Sequence, residues 1–467
     1  MANGDAGSRL SAERAAATPR IALALAGGGL EGAIYQIGAL RAIDEALEGL
    51  DLNHLYIYVG VSSGGFLTAC LANDLTPAQM CRAIVSHEPG EHPFVPETFL
   101  TPALRPLWQS ARAVPRLLGE ALLDYARNRQ DRTLLGSLTR LSRALPVGVF
   151  DNEPIRAYLE KIYNLKSRTD DFRRLGKRLV IVAADLDSGQ PVRFGISGTD
   201  HVPISRAVQA STALPGLYPP VEIDGRHYVD GILIKTLHAS VALEAGAELV
   251  ICINPIVPVD TVHAVELGLL PRSNLMDRGL PTVLSQTLRT IIHSRLKVGL
   301  ESYRSKFSHA DVILLEPERD DYVMFFTNIF GFSERRLVCE HAYRATRRYL
   351  RVHQNSLAPL LARHGISLRR DLLADEQRDL WQGVGLPTLA VPAAPPAPPP
   401  SGSEMVRRLD ATLARLEELL AEQSAEPAET AEPPREGAEG EAAGAGWTGA
   451  QGSSLPAGSP QPPAAEL

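Results

Sequence analysis

Between Arg20 and about Leu373, short apolar runs alternate with longer stretches in which apolar residues recur every three or four positions. The short runs fit strands buried on both faces, and the longer spacing fits helices packed along one side. The runs predict strands at Ile21–Ala26, Leu55–Val59, Leu179–Ala184, Pro191–Phe194, His227–Val229, Leu249–Ile253 and Asp311–Leu315. The spacing predicts helices at Leu30–Leu47, Ser63–Asn73, Thr282–Lys306 and Glu340–His353. Strands and helices in alternation predict an α/β domain over residues 20–375, with helices flanking a central, mostly parallel sheet.

The pattern lapses at both ends. Residues 1–19 read as a disordered lead-in, and residues 376–402 as a linker that becomes Pro/Ala-rich at Ala390–Pro400. Within 403–423, Val406, Leu409, Leu413, Leu416 and Leu420 follow a three-four spacing with charges between them. A coiled-coil reading makes this stretch a homo-oligomer contact; the alternative is an amphipathic helix docked on the main domain. Residues 424–467 are rich in Ala, Pro, Gly and Glu and are expected to form a disordered acidic tail.

Charge adds little about function. The net charge is −7, but residues 401–467 hold twelve acids and four bases, so the remainder sums to about +1. Acidity therefore belongs to the tail and not to a substrate site. No run reaches the ~20 apolar residues that a membrane helix requires, and Met1–Arg20 lacks the apolar segment of a secretory signal. Four cysteines (Cys70, Cys81, Cys252, Cys339) have no metal-type or redox-type spacing and read as reduced thiols, which favours a cytoplasmic setting. No His/Cys/Asp cluster has ligand spacing and no nucleic-acid motif appears, so neither a metal, a cofactor nor nucleic acid is expected.

Three short motifs carry chemistry. Gly60-Val61-Ser62-Ser63-Gly64 fits G-x-S-x-G between an expected strand and an expected helix. That context makes a sharp turn which pushes a serine oxygen clear of the backbone, and glycines at both ends remove side chains that would clash. In a chain with 38 glycines the bare pattern is an ordinary accident, so its weight comes from the strand before and the helix after.

Gly27-Gly28-Gly29-Leu30-Glu31-Gly32 follows the first strand and opens a helix. Its unobstructed N–H groups suit an anion, either the oxyanion of a tetrahedral intermediate or a dinucleotide pyrophosphate. Gly27, Gly29 and Gly32 satisfy G-x-G-x-x-G, yet the end of the second strand carries the serine motif where a dinucleotide site needs an acid. The third motif is Tyr228-Val229-Asp230-Gly231, an acid at the end of a short strand reached through a hairpin-like turn at Asp224-Gly225.

Taken together with Ala184–Gly189 and Ala210–Pro220, these segments resemble the patatin-like phospholipases, in family order over roughly residues 20–255. The resemblance implies a three-layer α/β/α fold and a Ser–Asp dyad without a catalytic histidine. It makes Ser62 the nucleophile, Asp230 its base, and the Gly27, Gly28 and Gly29 backbone the oxyanion hole, with Gly60 and Gly64 as elbow glycines. The substrate it implies is an acyl lipid. Two positions depart from the pattern: Glu31 stands where members usually carry Arg or Lys, and Ile232 where many carry Gly or Ala. Glu31 removes the ground for expecting an anionic headgroup preference.

A Ser-His-Asp triad is the catalytic rival, with His238, His293 and His341 downstream of Asp230 and each read as an exposed or capping histidine. A non-catalytic lipid-surface or scaffold protein on the same fold is the rival of another class. Residues 102–146 hold eight arginines against three acids, with leucines near helical spacing. This basic amphipathic insertion is expected to dock on a membrane surface, act as a lid, or cap the core.

Overall fold

The chain is described by a computed structural model over residues 19–86, 101, 147–266, 279–319, 321 and 332–388. The expectations for residues 1–18, 102–146, 403–423 and 424–467, and for most of the 376–402 linker, lie outside these residues.

Side-chain alternation along the strands explains the layering. The strands are β1 (Ile21–Leu25), β2 (Leu47–Glu48), β3 (Ile57–Val61), β4 (Leu179–Asp185), β5 (Pro191–Phe194), β6 (Val221–Ile223), β7 (Arg226–Asp230), β8 (Leu249–Ile253), β9 (Asp311–Leu315) and β10 (Ser367–Leu368). Leu23, Leu25, Tyr58, Ile181, Ile251 and Ile253 point to one face and join the larger core. Ala22, Ala24, Val59, Val180, Val250 and Cys252 point to the other and join a smaller one. A strand buried on both sides must be apolar at every position, which is why these segments read as continuous runs.

The sheet runs β6-β7-β4-β3-β1-β8-β9, with β5 also paired to β4. Its centre, from β9 across β8, β1 and β3 to β4, is parallel. The hairpin β6–β7 adds the antiparallel edge. Asp224 and Gly225 both take positive φ, 51° and 74°, the pairing that a tight hairpin turn needs.

Helices α1 (Gly29–Ala46) and α2 (Ser63–Ala72) follow β1 and β3. They contribute to the larger core, as do α3 (Glu153–Tyr163) and α4 (Ile204–Ser211). On the opposite face lie α5 (Ala239–Glu244) and α6 (Leu280–Lys306), which contribute Val241, Leu243, Leu296 and Tyr303 to the smaller core. Helix α7 (Phe332–Val352) lies against α1 at Gly38, where a Cβ would stand 2.2 Å from the Cys339 carbonyl oxygen. The expected three-layer α/β/α arrangement with a mostly parallel sheet is therefore the observed one. All four cysteines are buried and free, and among the described residues no helix is long and apolar enough to cross a membrane.

Candidate active site

The turn between β3 and α2 consists of Ser62 alone, with φ 54° and ψ −128°. A non-glycine residue in this region carries roughly 1–3 kcal/mol of strain, tolerated only where the surroundings over-determine it. The surroundings do so here. Ser62 N–H donates to Ser211 Oγ at 2.8 Å, and that hydroxyl donates to Val182 O at 2.6 Å. Ser62 O accepts from Phe66 N–H at 3.1 Å as α2 begins. A Cβ on Gly64 would stand 2.4 Å from Leu25 O, and one on Gly60 2.6 Å from Gly64 O. Both glycines are needed for α2 to press onto the ends of β1 and β3.

Asp230 ends β7, opposite Ala183 of β4, with its N–H donating to Ala213 O at 3.0 Å. A Cβ on Gly231 would meet Val182 O at 2.5 Å and Val61 Cγ2 at 2.8 Å. The missing side chain lets the end of β7 close against β3 and β4, which brings Asp230 beside Ser62. The carboxylate is buried and accepts from Ile232 N–H at 2.9 Å. Burial pushes its pKa up to about 7, while Ile232 N–H and the Ser62 hydroxyl pull the other way.

The glycine loop begins where Gln36 Nε2 donates to Ala26 O at 2.6 Å, fixing the end of β1. Gly27 N–H faces Thr236 O at 3.4 Å, so it is turned from the cavity, whereas Gly28 and Gly29 line it. Gly27 has a spacing role, because a Cβ there would stand 3.0 Å from Ser62 Cβ and 2.9 Å from Ile232 Cδ1. Pro255 backs the loop, 2.6 Å from where a Gly28 Cβ would lie. Of the expected trio, Gly28 and Gly29 line the cavity, and the Gly27 N–H is taken up by Thr236 O.

The cavity has a volume of about 350 Å³ and holds Ser62, Asp230, Gly28 and Gly29 among its walls. Leu30, Ala33, Phe66, Ile84, Leu214, Leu217, Ile232, Ile256, Leu288 and Ile292 make most of the rest, so the space is apolar. Glu31 and Arg289 also line it; Arg289 Nη2 donates to Glu31 Oε2 at 3.4 Å. Burial holds the Glu31 carboxyl above its ordinary range despite Arg289. Arg289 therefore returns a cation to the place where Glu31 had removed the basis for one.

None of the three candidate histidines lines this cavity. His238 stands at the N-cap position of α5 without a side-chain capping hydrogen bond and His293 lies on α6; both are buried, where exposed or capping histidines were expected. Burial lowers the pKa of His238 to about 4 and lowers that of His293. His341 Nε2 lies 2.7 Å from an Asp321 carboxylate oxygen. Among the described residues no group of His, Cys, Asp and Glu could hold a metal ion.

Four side chains of the site escaped the sequence reading. Ser211 fell within a recognised run, but nothing in its spacing marks it as the clamp on Ser62. Leu288, Arg289 and Ile292 sit on a helix predicted correctly, yet periodicity does not say which face meets a cavity. A hydroxyl beside a desolvated carboxyl, two backbone donors and an apolar space are the parts required for acyl transfer.

A family model described as patatin-like phospholipase matches residues 23–243, from β1 into α5. Among solved structures, the chain is similar to VipD from Legionella pneumophila at 14% identity and TM-score 0.35, covering 72% of this chain and 67% of that one. It is also similar to the type III effector ExoU at 16% identity and TM-score 0.28, covering 71% of this chain and 54% of that one. For ExoU in complex with SpcU from Pseudomonas aeruginosa, identity is 16%, TM-score 0.24, and coverage 61% and 52%. The chain thus spans little more than half the length of the ExoU chains.

Proposed function

From the match of residues 23–243 to the patatin-like phospholipase family, we propose that the chain hydrolyses carboxylic esters of acyl lipids through Ser62 and Asp230. Asp230, when ionised, accepts the proton of the Ser62 hydroxyl as Oγ attacks the ester carbonyl. The negative charge of the tetrahedral intermediate falls on an oxygen facing the N–H groups of Gly28 and Gly29, near the N-terminus of α2. Collapse expels the alcohol, which takes the proton back from Asp230, and leaves an acyl-enzyme. Water then attacks that ester with Asp230 as base, and Ser62 is released with the fatty acid.

The observation that carries this reading is the placement of Asp230: buried, at the wall of the same apolar cavity as Ser62, with no candidate histidine lining it. A buried carboxyl with a pKa near 7 is a far better base toward a hydroxyl than an ordinary one near 4. The apolar walls offer an acyl chain a dry seat. The paired Glu31 and Arg289 present opposite charges to the polar end of the substrate, which favours a neutral or zwitterionic group over a strongly anionic one.

The test is hydrolysis of acyl esters of graded chain length by wild type, Ser62→Ala and Asp230→Asn. Both variants should lose at least about 10³-fold in kcat/KM. Equal rates from all three proteins would sink the enzymatic reading and leave a lipid-surface scaffold on the same fold.

A further inference from the structure

Helix α6 has two unlike faces, and only one of them is accounted for by the cavity. Ser285, Leu288, Arg289 and Ile292 line that cavity, while Leu296 and Tyr303 are buried in the smaller core. Leu284, Ile291 and Val298 remain outside, exposed at 58%, 51% and 66%. Seven-residue spacing is nearly two helical turns, so these three form one stripe along α6. At 3.6 residues per turn, Leu288 lies between that stripe and the cavity-facing residues. The stripe therefore runs along the edge of the cavity.

The surroundings of the mouth share this character. Leu217 lines the cavity and is itself exposed. Leu233, next to the cavity residue Ile232, is exposed too, and its carbonyl accepts from Arg295 Nη1 at 3.3 Å. From Arg295 to Lys306 the helix carries Arg295, Lys297, Arg304 and Lys306 against the single acid Glu301. At 3.6 residues per turn Arg295 and Lys306 fall beside the stripe and Lys297 and Arg304 lie farther round the helix; apolar side chains flanked by cations are what an interfacial helix presents to anionic headgroups. A water-facing helix has no comparable use for three large apolar side chains in line.

We propose that the outer stripe of α6 docks the protein on an anionic lipid surface, with Leu284, Ile291 and Val298 entering the headgroup region and Arg295 and Lys306 flanking them at its level. The inference rests on reading the cavity as a lipid hydrolase site. It adds the direction of approach: an acyl ester leaves the membrane at α6 and reaches Ser62 past Leu288.

The experiment uses the full chain and two readouts. Vesicle co-sedimentation compares phosphatidylcholine mixed with phosphatidylglycerol against phosphatidylcholine alone. Hydrolysis of a water-soluble short-chain ester reports the site without a membrane. Leu284→Ser/Ile291→Ser/Val298→Ser should bind mixed vesicles at least about tenfold more weakly and keep its soluble-ester rate within about twofold. Arg295→Glu/Lys306→Glu should lose the preference for mixed vesicles and the sensitivity of binding to salt.

Binding equal to wild type in both variants, or no vesicle binding by wild type, overturns the proposal. So does a stripe variant that binds vesicles normally but loses self-association, since that assigns the face to a second copy of the chain. Failure of wild type to hydrolyse either ester while it still binds vesicles counts against the hydrolase reading and not against the docking face.

Discussion

Asp230 must be ionised to take a proton, yet its burial favours the protonated form. Two outcomes follow with opposite signs. The rate should rise through about pH 7 and fall on the acid side of it, well above the limb of an ordinary carboxylate; kcat/KM against pH checks this, and a limb near pH 4 would refute it. For stability, a pKa raised on folding means that the folded chain binds this proton more tightly than the unfolded chain. The favourable contribution is complete below the unfolded value of roughly 4 and is lost as pH rises through about 7. Asp230→Asn, inactive, should therefore be more stable than wild type at pH 8 by on the order of 2 kcal/mol, with the gap closing toward pH 4. Urea midpoints at the two pH values measure it. Ser62 shows a related trade: its positive φ suits glycine, so Ser62→Gly should exceed Ser62→Ala in stability by about 1 kcal/mol in the same titration.

At the scale of elements, the elbow is a packing device as much as a chemical one. Because a Cβ on Gly64 would meet two backbone carbonyl oxygens of the β1 end, which no rotamer change can move, Gly64→Ala should destabilise by about 3 kcal/mol. A thermal midpoint unchanged from wild type would show that α2 can lift away from β1. The strands were legible because burial on both faces leaves an uninterrupted apolar signature. The strand before the serine was expected at Leu55–Val59 and is observed at Ile57–Val61, since Gly60 extends the ladder at a position where an apolar scale sees a break. Helices α3, α4 and α5 went unread: each is short and mixes polar with apolar residues, and tertiary packing selects its conformation. Gly27, Gly60, Gly64 and Gly231 were legible because close approaches there leave no room for a Cβ, whereas Asp230, in ordinary extended backbone, stood out only through the family resemblance. Ser211 and Arg289 could not be found, because any chain has many serines and arginines and only the fold selects these two.

At the scale of the whole molecule, the described residues beyond 243 are built into the same domain and not appended to it. Glu45 of α1 accepts hydrogen bonds from Tyr343 Oη at 2.6 Å and from Arg378 Nε at 2.8 Å, and it pairs with Arg41. The ladder between β2 and β10 ties residues 367–368 to the end of α1. Helix α6 from this region closes the cavity, so acyl-chain selection should depend on residues outside the span matched by the family. Leu288→Trp, which fills the wall beside Ile292, should shift the preferred ester to a shorter chain and raise KM for long ones at least about fivefold, with kcat for short esters nearly unchanged. An unaltered chain-length profile would place the acyl group elsewhere.

The four buried thiols make the molecule its own record of opening. Cys70 lies on α2 behind the serine elbow, Cys81 opens the short helical segment Cys81–Val85, Cys252 lies on β8 and Cys339 on the helix that covers α1. Burial pushes the Cys70 thiol up to about 12, and Cys252 and Cys339 are raised as well. None can react with a disulfide reagent while its layer is closed. The order in which the four become labelled is thus a clock for which layer parts first, with no residue substituted to report it.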